Sequence, residues 1–315
     1  MPLTTAKTLS GLLSFPLTPF TADDTVDTGV LADHVAAHVA AGPAAMFVAC
    51  GTGEFTALSF VEYREVLTTA LRVVAGRMPV FAGVGGGPRL AREFLSAAAE
   101  SGVDGVLLLP PYLVTAPPAG IVDHIRYVST VADLPIVVYQ RANAILDPAA
   151  ARALLDVPTV IGIKDGEGDV EQLRSLISAV RGSGHPRAEE FGFLNGLPTA
   201  EVSVPAYREL GVNGYSSAVL CFVPEIATAF YAAVQREDEE TVRTLLTEFY
   251  HPFAALRDTT PGYAVSLIKA GARLTGTPVG PVRPPLREVT PEHLAQLKEI
   301  IDRGRSALAA IKVVA

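Results

Sequence analysis

Pro135-Ile136-Val137-Val138-Tyr139 and Val160-Ile161-Gly162-Ile163-Lys164 are two continuous apolar runs, each closed by a polar side chain. A run of about five apolar residues without alternation belongs to a strand covered on both faces, the pattern of a parallel sheet. Similar runs occupy 11–15, 44–48, 80–83, 105–108, 190–194 and 214–216, and a segment of helical character follows each. Eight strand and helix units predict an α/β chain folded as a closed (β/α)8 TIM barrel.

The punctuation agrees with this alternation. Gly42, Gly102 and Gly211 each stand between an apolar helix end and the next strand, where glycine permits a left-handed cap. Ser59-Phe60-Val61-Glu62 forms a capping box, and Asp147-Pro148 supplies an N-cap followed by proline at the first helical position. From Pro224 onward the pattern is helical only, over 224–235, 237–256, 261–274 and 291–309, with a proline-rich crossing at 277–285. The expected division is therefore a barrel over 1–223 and a C-terminal helical extension over 224–315, packed on it. The rival doubly wound sheet needs a glycine fingerprint after its first strand, and none stands there. Gly83-Val84-Gly85-Gly86-Gly87-Pro88 has proline in place of the last glycine of a dinucleotide loop and lacks Gly-Lys-Ser/Thr, so it reads as a tight turn.

Composition narrows the partners. With 315 residues, 49% hydrophobic and 18% charged, the chain is globular and one large core is affordable. A formal charge of −8 argues against nucleic acid or an anionic membrane surface, yet leaves room for a small anionic substrate met by local cations. No run reaches membrane-spanning length and the first ten residues lack a signal-peptide core, so a cytoplasmic protein is expected. Cys50 and Cys221 are too few for a disulfide framework and read as reduced, buried small hydrophobes. His34 and His38 have helical spacing, but His-Val-Ala-Ala-His lacks the glutamate of a zinc-protease helix and no other ligand cluster is read, so no metal is expected.

In such barrels chemistry sits where strands end and helices begin. That rule selects Gly51-Thr52-Gly53-Glu54, Pro110-Pro111-Tyr112, Tyr139-Gln140-Arg141-Ala142-Asn143, Lys164-Asp165-Gly166-Glu167, Asn195-Gly196 and Ser216-Ser217. A lysine titrates ordinarily at about 10.4, and desolvation lowers that value and frees the lone pair to attack a ketone. Lys164 is accordingly the candidate nucleophile, against the plainer alternative of a lysine leaving its strand for solvent. Tyr139 is the candidate proton shuttle, or else a strand-end aromatic with a bonded hydroxyl. Thr52, the amides at Gly51 and Gly53, Asn195, Gly196 and Ser217 are candidates for holding carboxylates and hydroxyls, or ordinary turn residues. Glu54 is a base, a local cap or the partner of a cation. Asp165 and Glu167 have capping work in the following loop and stay outside the catalytic set.

With these residues in place the chain resembles the dihydrodipicolinate synthase and N-acetylneuraminate lyase superfamily over essentially its whole length. The carriers are Gly51-Thr52-Gly53-Glu54, the strand-ending Tyr139, and Gly162-Ile163-Lys164. Within it the chain is most similar to the 5-dehydro-4-deoxyglucarate dehydratases, through Cys50 to Phe55, Tyr139-x-Arg141-x-Asn143, Ile163-Lys164-Asp165-Gly166, and Gly280-Pro281-Val282-Arg283-Pro284-Pro285-Leu286. Gly51 stands where the synthases carry the first of two threonines, which leaves a Tyr–Thr–Tyr relay incomplete. Ala144 stands where they carry a carboxylate-binding arginine, and Arg141 lies closer to Tyr139 instead. The resemblance implies a Schiff base on Lys164, dehydration and decarboxylation of 5-dehydro-4-deoxyglucarate to 2,5-dioxopentanoate in glucarate catabolism, and no cofactor. It further implies Arg141 and Asn143 as substrate contacts, a homodimer or homotetramer, and Tyr112 as a residue reaching toward a partner's site. The rivals are another lysine-dependent 2-keto acid aldolase or synthase using pyruvate, and a non-catalytic sugar-acid-binding barrel.

Overall fold

The computed structural model of the chain describes residues 9–314. Eight parallel strands close into a barrel in sequence order, with β1 paired to β8. They are β1 Gly11–Ser14, β2 Ala45–Val48, β3 Val80–Gly86, β4 Gly105–Pro111, β5 Ile136–Gln140, β6 Val160–Asp165, β7 Gly192–Asn195 and β8 Gly214–Ser217. The helices between them are α1 Thr28–Ala41, α2 Phe60–Val74, α3 Pro88–Ser101, α4 Pro118–Ser129, α5 Pro148–Ala153, α6 Val170–Arg181 and α7 Val204–Arg208. Then follow α8 Pro224–Gln235, α9 Glu239–Leu245, α10 His251–Arg257, α11 Tyr263–Leu274 and α12 Pro291–Val314. The expected (β/α)8 barrel with a C-terminal helical extension is the fold.

Local chemistry sets the boundaries. Ser59 and Glu62 close the expected capping box at the start of α2, and Asp147 accepts the Ala150 amide ahead of Pro148. Gly42 and Gly102 cap α1 and α3 in the left-handed region. The glycine stretch expected as a tight turn is instead the end of β3, which runs through Gly86 before α3 opens at Pro88. Backbone crowding explains the glycine, since a Cβ on Gly83 would stand 2.1 Å from the Ala49 carbonyl oxygen. The helix expected over 237–256 is α9, a π-helical turn at Leu246–Tyr250, and α10.

Alternation along each strand divides the core. Val137 and Tyr139 join the barrel interior with Leu13, Phe47, Phe81 and Leu107, while Ile136 and Val138 pack outward against the helices. Phe15, Phe47 and Phe81 stack in sequence at 4.7 Å between successive ring centroids, filling the barrel beneath its mouth. The outer faces of β1 and β8, through Leu12 and Tyr215, share a second core with α8 to α12. α8 lies against β1 and α1 and completes the ring of helices. Among the described residues no helix is long and apolar enough to cross a membrane.

Candidate active site

β5 and β6 are adjacent and in register, with Tyr139 paired to Lys164. Both side chains emerge at the C-terminal mouth, where they line a cavity of about 250 Å³. Lys164 is 6% exposed and Tyr139 is 7% exposed. The Lys164 Nζ lies 4.2 Å from the ring centroids of both Phe15 and Tyr139. Among the described residues it has no hydrogen bond and no ion pair, so its polar capacity is directed at the cavity. The Tyr139 hydroxyl donates to the Gly196 carbonyl at 3.2 Å and accepts from Arg141 Nη1 at 3.2 Å. The β7 turn is pressed against the lysine, and a Cβ on Gly196 would meet Lys164 Cε at 2.4 Å. Only glycine fits there.

The cavity wall has two halves. The barrel contributes Phe15, Gly51, Thr52, Tyr139, Arg141, Lys164, Gly196 and Ser216. The helical extension contributes Phe253, Arg257, Val265 and Ile268, and Leu286 comes from the crossing that follows. Three basic side chains, Lys164, Arg141 and Arg257, line it, Arg257 already paired with Asp258, and no carboxylate lines it among the described residues. In a chain of net charge −8 this is a local reversal of sign that favours an anionic ligand.

Of the residues expected to contact substrate, Gly51, Thr52, Arg141 and Gly196 line the cavity. Others are turned elsewhere. Ser217 is fully buried and donates to Glu201 Oε1 at 2.5 Å; strand alternation places its neighbour Ser216 at the cavity instead. Asn195 braces its own turn, accepting the Leu197 amide at 3.1 Å and donating to the Ala200 carbonyl at 3.1 Å. Asn143 donates to the carbonyls of Pro111 at 2.7 Å and Val114 at 2.6 Å, holding the segment after β4. Gly53 is buried behind the loop, its carbonyl accepting from Thr18 at 2.7 Å. Tyr112 is 67% exposed and lies outside the cavity of its own chain, beside the exposed Leu113 and Val114.

Asp165 and Glu167, set aside from the catalytic set, and Glu54, left with three roles, all have protein partners. Asp165 accepts from Gln140, the amides of Glu167 and Gly168, and Tyr207. Glu167 accepts the Ala142 amide. Glu54 pairs with a cation, Lys269 Nζ, at 2.7 Å.

Sequence reasoning missed Phe15 and Arg257, and of the pair Ser216-Ser217 it took Ser217 as the substrate contact where Ser216 lines the cavity. The parity of β8 was a usable signal for Ser216; none pointed to Arg257, which arrives from a distant helix. It also missed that Cys221 comes beside His34 and His38, their donor atoms lying within 4.8 Å of one another. Each of these atoms already has a protein partner. Ser14 Oγ meets His38 Nδ1 at 2.7 Å, the two histidine Nε2 atoms are 3.2 Å apart, the Leu17 amide donates to His34, and the Cys221 thiol donates to the Phe15 carbonyl. Both cysteines are free and buried.

Comparison with known proteins extends the geometry. The profile of the dihydrodipicolinate synthetase family matches residues 8–303. The chain is 47% identical to a Streptomyces griseus protein named probable 5-dehydro-4-deoxyglucarate dehydratase, with 96% of this chain and 94% of that one covered. It is 48% identical to a Streptomyces coelicolor protein named probable 5-dehydro-4-deoxyglucarate dehydratase 1, with 94% and 93% covered. The crystal structure of dihydrodipicolinate synthase from Bacillus clausii is similar with a TM-score of 0.86 at 25% identity, over 96% of this chain and 99% of that one. With a lysine and a phenol paired at a barrel mouth and a match over nearly its full length, the chain belongs to the dihydrodipicolinate synthetase family.

Proposed function

We propose that the chain is a Schiff-base lyase that converts 5-dehydro-4-deoxyglucarate to 2,5-dioxopentanoate, carbon dioxide and water, the activity named for its relatives. The observation that carries this reading is the buried Lys164 amine, without a hydrogen bond or ion pair among the described residues and paired in register with Tyr139, in a cavity lined also by Arg141. Lys164 Nζ adds to the C5 ketone, and loss of the carbinolamine hydroxyl as water, with Tyr139 moving the proton, leaves an iminium. The iminium acidifies C4. Removal of a C4 proton gives an enamine, whose electron pair expels the C3 hydroxyl as a second water. The conjugated iminium then accepts the electrons of the C1–C2 bond as C1 leaves as carbon dioxide. Protonation and hydrolysis, which consumes one water, release the product and restore the amine.

The two halves of the wall suit the two ends of this substrate. Thr52, whose hydroxyl has no protein partner among the described residues, and the Gly51 amide stand ready for the carboxylate that is kept. The apolar wall of Phe253, Val265, Ile268 and Leu286 offers poor solvation to the carboxylate that leaves, which favours neutral carbon dioxide. Arg141 steadies the Tyr139 phenol and adds positive charge. With this reaction go a part in sugar-acid catabolism and a cytoplasmic location, both as pieces of the same proposal. The exposed Tyr112-Leu113-Val114 surface supports assembly with further copies of the chain.

Incubation of the purified protein with 5-dehydro-4-deoxyglucarate is expected to release carbon dioxide and 2,5-dioxopentanoate in equal amounts. Borohydride is expected to trap the adduct mass on Lys164, and Lys164→Ala to abolish both signals. Pyruvate in place of carbon dioxide would assign an aldolase, and binding without any adduct would assign a sugar-acid-binding barrel.

A further inference from the structure

Arg257 lies at the end of α10, far in sequence from the barrel mouth, with its side chain 15% exposed at the cavity wall. Its guanidinium is already engaged on two sides. Nε and Nη2 donate to the Asp258 carboxylate at 2.8 and 2.9 Å, and Nη1 donates to the Pro198 carbonyl and Thr199 Oγ1, each at 2.6 Å. Four donors are thereby spent, and the paired Asp258 offsets the charge. This is the geometry of a clamp on the β7 turn rather than of an open carboxylate receptor.

The clamped turn governs the reacting groups. Thr199 is held at φ 52°, a left-handed conformation that a threonine adopts only when its surroundings impose it. One residue before Leu197-Pro198, Gly196 takes the Tyr139 hydroxyl on its carbonyl, donates its amide to the Asp165 carbonyl at 2.6 Å, and packs against the methylenes of Lys164. A shift of this turn moves the wall behind the amine and the acceptor that orients the phenol together. Small misplacements at a reacting centre cost large factors in rate.

We propose that Arg257 is a positioning residue, which fixes the β7 turn from the C-terminal helices and so sets the relative placement of Lys164 and Tyr139 for imine formation. The assignment rests on the Schiff-base reading above. It also gives the helical extension a part in the chemistry.

The test follows the rate of borohydride-trapped adduct on Lys164, with kcat, KM and thermal midpoint, in the unaltered protein, in Arg257→Met, Arg257→Lys and Thr199→Val, and in the double variant Arg257→Met with Thr199→Val. The expected result for Arg257→Met is a fall of about ten- to hundredfold in trapping rate and kcat, with KM changed less than about threefold. Arg257→Lys, which can keep one of the turn contacts, recovers part of the loss. Thr199→Val lowers the rate in the same direction but less, and adds little to Arg257→Met, as expected for two members of one contact. All are measured well below their thermal midpoints. Wild-type trapping in Arg257→Met overturns the clamp alone, as does a rise in KM at constant kcat, which would make Arg257 a substrate ligand. Absence of any adduct in the unaltered protein removes both the clamp and the Schiff-base reading.

Discussion

Glu201 lies buried beneath the β7 turn with Oε1 bonded to Ser217, while Oε2 and the hydroxyls of Tyr215 and Tyr250 have no partner among the described residues. Burial pushes its carboxyl up from 4.5 to about 7, against the opposing pulls of Ser217 and Arg257. The folded state therefore binds this proton more tightly than the unfolded chain. Its contribution to stability is greatest below pH 4.5 and declines as the pH rises to about 7, by about 3 kcal/mol. Glu201→Gln is expected to remove this decline, so that its urea-unfolding free energy gains on the parent across that window. A constant difference from pH 4.5 to 7 would falsify the assignment. His34 acts with the opposite sign. Burial lowers its imidazole from 6.5 to about 4, so its contribution is complete above pH 6.5 and lost as the pH falls through 4. Glu201→Gln should leave that acid slope exposed. Neither residue was singled out for its burial in the sequence, where a lone glutamate near a turn and a histidine on a helix look like surface groups. Strand parity, by contrast, distinguishes Ser216 from Ser217 once Tyr215 is placed in the outer core.

Between elements, the loop after β2 is tied to α11 and to the proline-rich crossing. Glu54 adopts φ 54° and meets Lys269, which is fully buried and also donates to the Pro281 carbonyl at 2.7 Å. Arg283 donates its amide to Glu54 at 3.0 Å and its guanidinium to Asp24, Glu62 and the Ala57 carbonyl. Burial pushes the Lys269 ammonium down, while Glu54 opposes that shift. Removing one member of a buried pair strands the other charge. Lys269→Met is expected to cost about 3–5 kcal/mol in urea unfolding, and Lys269→Met with Glu54→Gln less than the sum of the two single changes. A loss below about 1 kcal/mol for the single change would show that the pair is not what holds the loop. The sequence left Glu54 with three roles open, because a carboxylate after a strand carries no mark of the cation it will meet from a segment more than two hundred residues later.

At the scale of the whole molecule, the division expected at 223 and 224 falls before α8, which packs on β1 and α1, and cuts a core that Leu12, Tyr215 and Phe222 share with Phe230, Phe249 and Leu267. We propose that barrel and extension unfold as one unit, since a chain ending at Val223 would leave that apolar surface in water. Calorimetry of the full chain should give one transition, and the 1–223 fragment no cooperative one. Two resolved transitions, or a folded fragment, would overturn the single unit and support a division at 223 and 224. Apolar runs, glycine caps and strand-ending polar residues by themselves determined the barrel and the lysine and tyrosine at its mouth, because periodicity and strand ends are local properties written residue by residue. The tertiary structure alone decided that Arg257, Phe253 and Ile268 complete the cavity, that Asn143, Asn195 and Ser217 face away from it, and that Cys221 meets two histidines. Those outcomes depend on how distant helices pack and where side chains find partners, and no local pattern encodes such meetings.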